Sequence, residues 1–210
     1  SFNFGQVLIL IFSNFVLLEN IFNFKYSNFV NLKKHKNSVF FLSLFSLIFI
    51  NIFFYRISEH GTDRSAQILI FILIIELFKF YSLNLKKTNF SNIAITLAII
   101  ISLKSFYILY LALLVPIIFF IKNYSQSFLF YLKLLLINFY TICAVLLTIL
   151  VFLTFFFNTG CIIYPLEFTC FENYSWSIPK NNVKDMNNWY ELWSKAGATP
   201  NIRASNPEIY

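Results

Sequence analysis

Long apolar stretches separated by short polar ones run through most of the chain. A helix that spans a membrane needs about 20 mostly apolar residues, and six stretches approach that length. The pattern therefore predicts an all-α fold, a polytopic transmembrane helical bundle of about six spans. The predicted spans cover residues 5–24, 38–57, 67–83, 91–103, 105–121 and 134–158.

The fourth and fifth of these stretches are separated by Lys104 alone. The fourth stretch is also short for a span. The pair is compatible with a tight helical hairpin that turns at Lys104 or with one long kinked helix, and we favour the hairpin.

The composition supports a membrane protein. The chain is 59% hydrophobic and 12% charged, whereas soluble domains carry about 25% charged residues. A chain this apolar cannot bury its side chains in one water-soluble core, so we expect the lipid bilayer to be its partner. The sequence opens at Ser1 directly before an apolar stretch, and we expect it to be a fragment of a longer polytopic protein.

Lysines are concentrated in alternate loops. The loops at 25–37, 84–90 and 122–133, together with Lys79, hold nine lysines and no acidic residue, whereas the segment 56–65 carries both signs. Because cytoplasmic loops collect Lys and Arg, this alternation predicts that both termini and the mixed-sign segment lie on the external side. The net charge of +7 then reflects membrane orientation, and no nucleic-acid partner is expected.

The last part of the chain changes character after a transmembrane domain at 1–157, and we predict an external C-terminal segment at 158–210. Cys161 and Cys170 flank Pro165, so a turn at the proline could bring the two thiols together. An external location permits a disulfide, which we favour over two reduced cysteines near the membrane surface.

A short amphipathic helix is predicted within this segment, with Asn182 capping its start and Gly197 ending it. One face of that helix would carry Met186, Trp189, Tyr190 and Trp193. This aromatic stripe would either cover a substrate cavity as a lid or simply pack onto the domain.

Ionisable residues inside the spans are costly and usually face protein or water. We expect Glu76 to form an ion pair with Lys79, and Glu19 with Asn20 to hydrogen-bond a neighbouring helix. Lys104 would either extend its ammonium group to the membrane surface or join a polar site there.

The polar segment RISEHGTDRSAQ at 56–67 is the candidate site. A helix beginning near Asp63 would present backbone N–H groups that favour anions. Arg56 and Arg64 add positive charge, and phosphate is the obvious anion at a membrane. His60 and Asp63 could transfer protons. The alternative is a solvated loop with a helix cap and local Arg–acid pairs.

Three stretches, GCIIYPLEFTCF, EHGTDRSAQIL and ISLKSFYILY, resemble a family of uncharacterised polytopic bacterial inner-membrane proteins linked to surface-polysaccharide synthesis. Their layout is similar to that of the GT-C-type glycosyltransferases, which are all-helical, use polyprenyl-phosphate sugars and work on the external face. The resemblance implies a location in the bacterial inner membrane and a polyprenyl-phosphate-linked sugar as the donor for cell-surface glycan synthesis.

The resemblance also implies roles for individual residues. Asp63 would activate an acceptor hydroxyl, with His60 beside it, or would bind a divalent metal ion. Arg56, Arg64 and Lys104 would hold the donor phosphate. The rim of the site would be formed by Gly160, Tyr164, Pro165, Trp189 and Trp193. GT-C enzymes usually keep their key acid in the first external loop, and no such loop follows a span before residue 56 here.

Two other functions stay open. A transporter or flippase for a lipid-linked glycan needs polar groups along several spans and often repeated halves, and the sequence has few mid-span charges and no clear repeat. A non-catalytic membrane assembly subunit would use the tail as a contact surface. The sequence contains no GxGxxG, P-loop, GxSxG or HExxH motif and no CxxC pair typical of a zinc site.

Overall fold

The computed structural model describes residues 2–27, 35–54, 62–82, 87–124 and 128–194. These ranges are helical and contain no strand, which confirms the predicted all-α fold. The α-helices are α1 (Phe2–Ser27), α2 (His35–Phe53), α3 (Asp63–Ser82), α4 (Lys87–Leu103), α5 (Leu114–Tyr124), α6 (Phe128–Leu136), α7 (Phe139–Thr159) and α8 (Lys180–Ser194). Two 3₁₀ helices cover Ser105–Leu113 and Glu167–Thr169.

Three helical stretches are long and apolar enough to cross a membrane, namely Phe4–Asn23, Phe106–Asn123 and Phe139–Thr159. Large apolar side chains are widely exposed on them: Phe15 is 64% exposed and Leu150 is 60% exposed. Side chains of this kind are stable at such exposure in hydrocarbon, so the chain is a membrane protein. The count of six spans stays a prediction.

The chain divides into two compact units, Ser1–Thr148 and Ile149–Tyr210, and the division falls inside α7. In the first unit, α3 is the central helix because it buries two faces. Ile68, Ile72 and Ile75 pack in one cluster with side chains of α1 and α2. Leu73 and Leu77 pack in a second cluster with the helices that follow α3.

The chain reverses direction at Lys104, whose backbone is extended with φ −160° and ψ 126°. The 3₁₀ helix Ser105–Leu113 follows at once and continues as α5. Pro116 lies in the first turn of α5, and a proline ring clashes with the carbonyl four residues earlier in an α-helix. This clash disfavours α-helical winding at Ala112, near the end of the 3₁₀ helix.

The two arms of this hairpin run along α3 in opposite directions. At the start of α3, Asp63 contacts the turn between the arms. At the end of α3, Phe80 lies 6.0 Å from the ring of Phe90 in α4, and Tyr81 lies 4.8 Å from the ring of Phe120 in α5. The sequence left open a hairpin or one kinked helix, and these contacts confirm the hairpin.

The predicted sixth span, 134–158, is interrupted near its start. Ile137 and Asn138 separate α6 from α7, and the side-chain amide of Asn138 donates a hydrogen bond to the hydroxyl of Ser91 in α4. The interruption thus places a polar side chain against α4, and α7 retains most of the predicted span.

In the second unit, a tight loop follows α7. Gly160 has a φ of +76°, and a Cβ atom added there would lie 2.4 Å from the Cβ of Ser177. Cys161 and Cys170 are joined by a disulfide and also pair as an isolated antiparallel bridge. The peptide bond before Pro165 is cis. Backbone pairing and a covalent bond therefore close the same loop.

Helix α8 corresponds to the predicted amphipathic helix but begins two residues before Asn182. Its buried positions are Val183 and Leu192, whereas Trp189 is half-buried and Tyr190 is exposed. The aromatic stripe read from the sequence therefore lies at the edge of the buried face. The predicted end, Gly197, lies outside the described residues.

Candidate functional site

Asp63 and Lys104 form the centre of the candidate site. The Lys104 ammonium donates to both carboxylate oxygens of Asp63, at 2.9 and 3.2 Å, although the two residues are 41 positions apart. Asp63 opens α3 and Lys104 is the turn of the hairpin, so the packing of the hairpin on α3 creates the contact. The side chains are 38% and 39% exposed, which leaves the pair accessible.

Tyr107 is the third member of the group. Its hydroxyl hydrogen-bonds the Asp63 side chain, and its ring lies 5.8 Å from the ring of Tyr110. A 3₁₀ helix has three residues per turn, so residues three apart lie directly above each other. The 3₁₀ winding therefore places both tyrosines on one side of this helix.

An open cavity of ≈ 270 Å³ is lined by Phe106, Tyr107, Leu109 and Tyr110. Tyr107 belongs both to this cavity and to the hydrogen-bonded group around Asp63. An aromatic wall beside a charged pair suits a ligand that has a ring or an apolar body and an anionic group.

Arg64 brings a second cation to the start of α3. Its guanidinium carbon lies 4.9 Å from the centre of the Phe54 ring, a geometry in which the ring face attracts the cation. The N–H of Ala66 donates to the carbonyl of Thr62, so the helical hydrogen bonding starts here. The N-terminal end of a helix dipole favours anions, as do the cations Arg64 and Lys104, although Ser65 and Ala66 in this first turn are fully buried.

The structure thus brings Asp63 and Lys104 into contact, with Arg64 next to Asp63 in the chain. Arg56 and His60, which the sequence also assigned to this site, lie outside the described residues. The predicted rim residues Gly160, Tyr164, Pro165, Trp189 and Trp193 belong to the second unit. Their part in a common site stays a prediction.

A divalent metal ion was one expected role for Asp63. Within the described ranges, no group of three or more His, Cys, Asp or Glu side chains is placed to hold a metal ion. The two carboxylate oxygens of Asp63 instead accept hydrogen bonds from the Lys104 ammonium, which is a repulsive neighbour for a cation. These residues do not fit a metal site.

Sequence reasoning missed Tyr107, because 21% of the chain is aromatic and one tyrosine does not stand out. Its position three residues after Lys104 is the one available signal. It also missed Asn14 and Asn51, whose side-chain amides exchange hydrogen bonds of 3.2 and 3.0 Å between α1 and α2.

A second polar group lies at the opposite end of α3. Glu76 is 4% exposed and accepts hydrogen bonds from the Lys79 ammonium at 2.6 Å and from the Asn92 amide at 3.2 Å. The ion pair predicted from the sequence is confirmed. The carboxylate of Glu76 has hydrogen-bond partners within the protein, and its bond to Asn92 links α3 to α4.

The second unit contains an apolar cavity of ≈ 450 Å³ between α7 and the loop after it. Phe156 of α7 packs edge to face against Phe171 and Tyr174, with ring centres 5.9 and 5.6 Å apart. These rings form part of the wall.

Comparison with known proteins gives one match. The model of a family described as "Domain of unknown function (DUF8201)" matches residues 1–205 of the chain. No curated protein and no solved structure matches it.

Proposed function

The chain belongs to the DUF8201 family, and we propose that it acts as a GT-C-like membrane glycosyltransferase. In this proposal it transfers a sugar from a polyprenyl-phosphate carrier during cell-surface glycan synthesis. The observation that supports the proposal most is the contact between Asp63 and Lys104. That contact joins an acid and a cation at the start of α3, close to Tyr107 of the aromatic cavity, in a membrane protein.

Donor binding is assigned to the cations. Lys104 and Arg64 would bind the phosphate of the carrier, since both lie near the start of α3 and its helix dipole favours an anion. When the phosphate accepts hydrogen bonds from Lys104, the carboxylate of Asp63 is released from the ion pair. The aromatic cavity beside Tyr107 would hold the sugar ring or the first part of the lipid chain.

Asp63 would then act as the general base. The acceptor hydroxyl oxygen forms a bond to the anomeric carbon of the sugar. The bond between that carbon and the phosphate oxygen breaks, and its electron pair stays on the polyprenyl phosphate. The proton of the acceptor hydroxyl moves to the Asp63 carboxylate. Such proton transfer contributes about 10²–10⁴-fold to a rate.

A non-catalytic membrane assembly subunit is the second candidate, and one observation favours it. Asp63 and Lys104 neutralise each other. An ion pair of this kind can have a purely structural role, in which it holds the hairpin against α3. The two functions have different requirements. A structural ion pair needs only opposite charges at positions 63 and 104, whereas a general base needs a carboxylate at position 63.

Binding of polyprenyl phosphate tests the donor site. The purified full chain in nanodiscs would be titrated with undecaprenyl phosphate, with uncharged undecaprenol as the reference ligand. We expect Lys104→Gln to weaken phosphate binding by about tenfold or more, the loss of a charge-assisted hydrogen bond. Lys122→Gln is the matched control because Lys122 is an exposed lysine at the end of α5, away from Asp63. Equal affinity of wild type and Lys104→Gln would contradict the donor site.

Exchange of the two charges separates the candidates. Cells of the source bacterium would carry Asp63→Asn, Lys104→Gln, or Asp63→Lys combined with Lys104→Asp, and surface glycan and membrane insertion would be measured. The enzyme requires loss of glycan in all three variants with insertion intact. Restored glycan in the exchanged variant would identify a fastening and support the assembly subunit instead.

A further inference from the structure

We propose that the apolar cavity of the second unit, between α7 and the loop after it, binds an acyl chain of a bilayer phospholipid. The cavity has a volume of ≈ 450 Å³, which falls within the range of about 300–1,000 Å³ that is typical of ligand pockets. Of the described residues that line it, six have apolar side chains and the seventh is Tyr174. A lining of this kind suits a hydrocarbon ligand.

The walls of the cavity are open to the surroundings. Five of the lining side chains are each 41–49% exposed, namely Ile149, Leu153, Ile162, Phe171 and Tyr174. Apolar surface left in water costs about 25 cal/mol per Å². A hydrocarbon chain in the cavity would remove that cost.

The cavity is continuous with the apolar surface of α7. This helix is one of the stretches that are long and apolar enough to cross a membrane, and Leu150, next to Ile149 in the chain, is 60% exposed on it. At about 1.5 Å per residue, the 21 residues of α7 match the hydrocarbon thickness of about 30 Å. Because the whole helix is needed to cross, the cavity wall from Ile149 to Phe156 meets lipid chains.

The loop that forms the opposite wall has a backbone suited to lying beside hydrocarbon. Irregular backbone is costly in lipid unless its N–H and C=O groups are paired. The N–H of Ile162 donates to the carbonyl of Thr169 at 3.1 Å, and the N–H of Phe171 donates to the carbonyl of Gly160 at 2.9 Å. Both apolar loop residues of the wall therefore have their N–H groups paired within the protein.

The two ends of the cavity differ in polarity, and the difference orients the occupant. At one end Tyr174 packs against Phe156, three residues before α7 ends, and stacks on Trp176 with ring centres 4.6 Å apart. At the other end Ile149 lies in the middle of α7, about 10 Å from Phe156 along the helix axis. Trp and Tyr favour the boundary between headgroups and water. A phospholipid with its headgroup near Tyr174 and its chain pointing towards Ile149 would have the orientation that it has in a bilayer.

Photo-cross-linking tests which molecule fills the cavity. The full chain would be reconstituted in phosphatidylcholine liposomes that contain phosphatidylcholine with a diazirine in its acyl chain, and mass spectrometry would map the adducts. We expect adducts at Ile162 and Phe171 of the loop as well as on α7, and none at Asn187, an exposed polar residue of α8. Adducts confined to α7 would contradict the proposal. Loop adducts that disappear when excess undecaprenol is added would also contradict it, because they would assign the cavity to an isoprenoid chain.

A variant that fills the cavity tests whether the lipid is held there. Leu153→Trp places a larger side chain in the cavity wall, and Leu150→Trp is the matched control because Leu150 is exposed on α7 but does not line the cavity. Native mass spectrometry would measure the phospholipid that stays bound after exchange into lipid-free detergent, and circular dichroism would check that both variants remain helical. We expect the wild type and Leu150→Trp to retain a phospholipid and Leu153→Trp to retain several-fold less. Absence of bound phospholipid from the wild type, or equal retention by the two variants, would overturn the proposal.

Discussion

The Nζ atom of Lys104 lies 2.9 Å from Oδ1 of Asp63, so the turn of the α4–α5 hairpin is held against the first residue of the central helix. The contact explains how a polar site can form in so apolar a chain. Each charge lies at the end of a helical element, where polar groups are accessible, and the apolar packing of the hairpin on α3 brings the two ends together.

Loss of the Lys104 charge should change stability little. Half-exposed ion pairs contribute about 0–1 kcal/mol, and both partners here are more than a third exposed. We therefore expect the free energy of unfolding of Lys104→Gln to fall by less than about 1 kcal/mol, measured by denaturant unfolding in detergent. Lys180→Gln, which removes a weaker exposed pair with Glu172 at 3.9 Å, is the control. A loss of several kcal/mol in Lys104→Gln alone would show that the pair is mainly a fastening.

The pair at the other end of α3 should behave differently. Lys79→Leu leaves the buried Glu76 carboxylate without its counter-charge, and breaking a fully buried pair costs about 3–5 kcal/mol. Because the Lys79 side chain is 21% exposed, we expect a smaller loss of about 1–3 kcal/mol.

The double variant Glu76→Leu with Lys79→Leu provides the control for that measurement. Removing both charges leaves no uncompensated group, so the double variant should be more stable than Lys79→Leu alone in the same unfolding assay. Equal or lower stability of the double variant would mean that Glu76 contributes through Asn92 rather than through the ion pair.

The apolar runs of the sequence were sufficient to predict most helices, because a segment in lipid must satisfy its backbone hydrogen bonds internally and a helix does so. They could not predict the break at Ile137 and Asn138, since neither residue is a strong helix breaker. Asn138 lies between the two helices and donates a hydrogen bond to Ser91, which is 47 positions away in the sequence. Such a contact depends on the packing of α6 beside α4, and the local sequence pattern carries no information about it.

The candidate site was predictable to the extent that charge is rare in this chain. Asp63, Arg64 and Lys104 stand out against an apolar background, but their contacts could not be read from the sequence. The contact between Asp63 and Lys104 depends on the chain turning back at Lys104, and the sequence left open whether this region is a hairpin or one kinked helix. Glu19 shows the converse: its charge was noticed, yet only the packing of α1 reveals that it faces away from the described helices.

The cysteines give a prediction that depends on the covalent structure alone. Cys161 and Cys170 are bridged, and Cys143 is free. Unfolding the protein without reductant and labelling with maleimide should therefore attach one label per chain, and none in Cys143→Ser. Intact mass spectrometry would count the labels, and reduction before labelling should raise the count to the three cysteines of the sequence. Three labels without reductant would contradict the bridge.

Gly160 should be sensitive to substitution by a residue with a side chain. A φ of +76° is unfavourable for residues with a Cβ atom, and the new Cβ would lie 2.4 Å from that of Ser177. The conformation alone costs roughly 1–2 kcal/mol, so with the clash added we expect Gly160→Ala to destabilise this unit by about 2 kcal/mol or more.

Tryptophan fluorescence isolates the effect of Gly160→Ala, because all three tryptophans of the chain lie in the second unit. Their unfolding transition should shift to lower denaturant concentration in the variant. Gly5→Ala is the matched control: an added Cβ there has nothing within 4 Å, and alanine favours the helix that contains it. It should leave the fluorescence transition unchanged. If Gly160→Ala did the same, the loop would tolerate a side chain at its turn, and Gly160 would not be required to hold Cys161 and the residues near Ser177 in place.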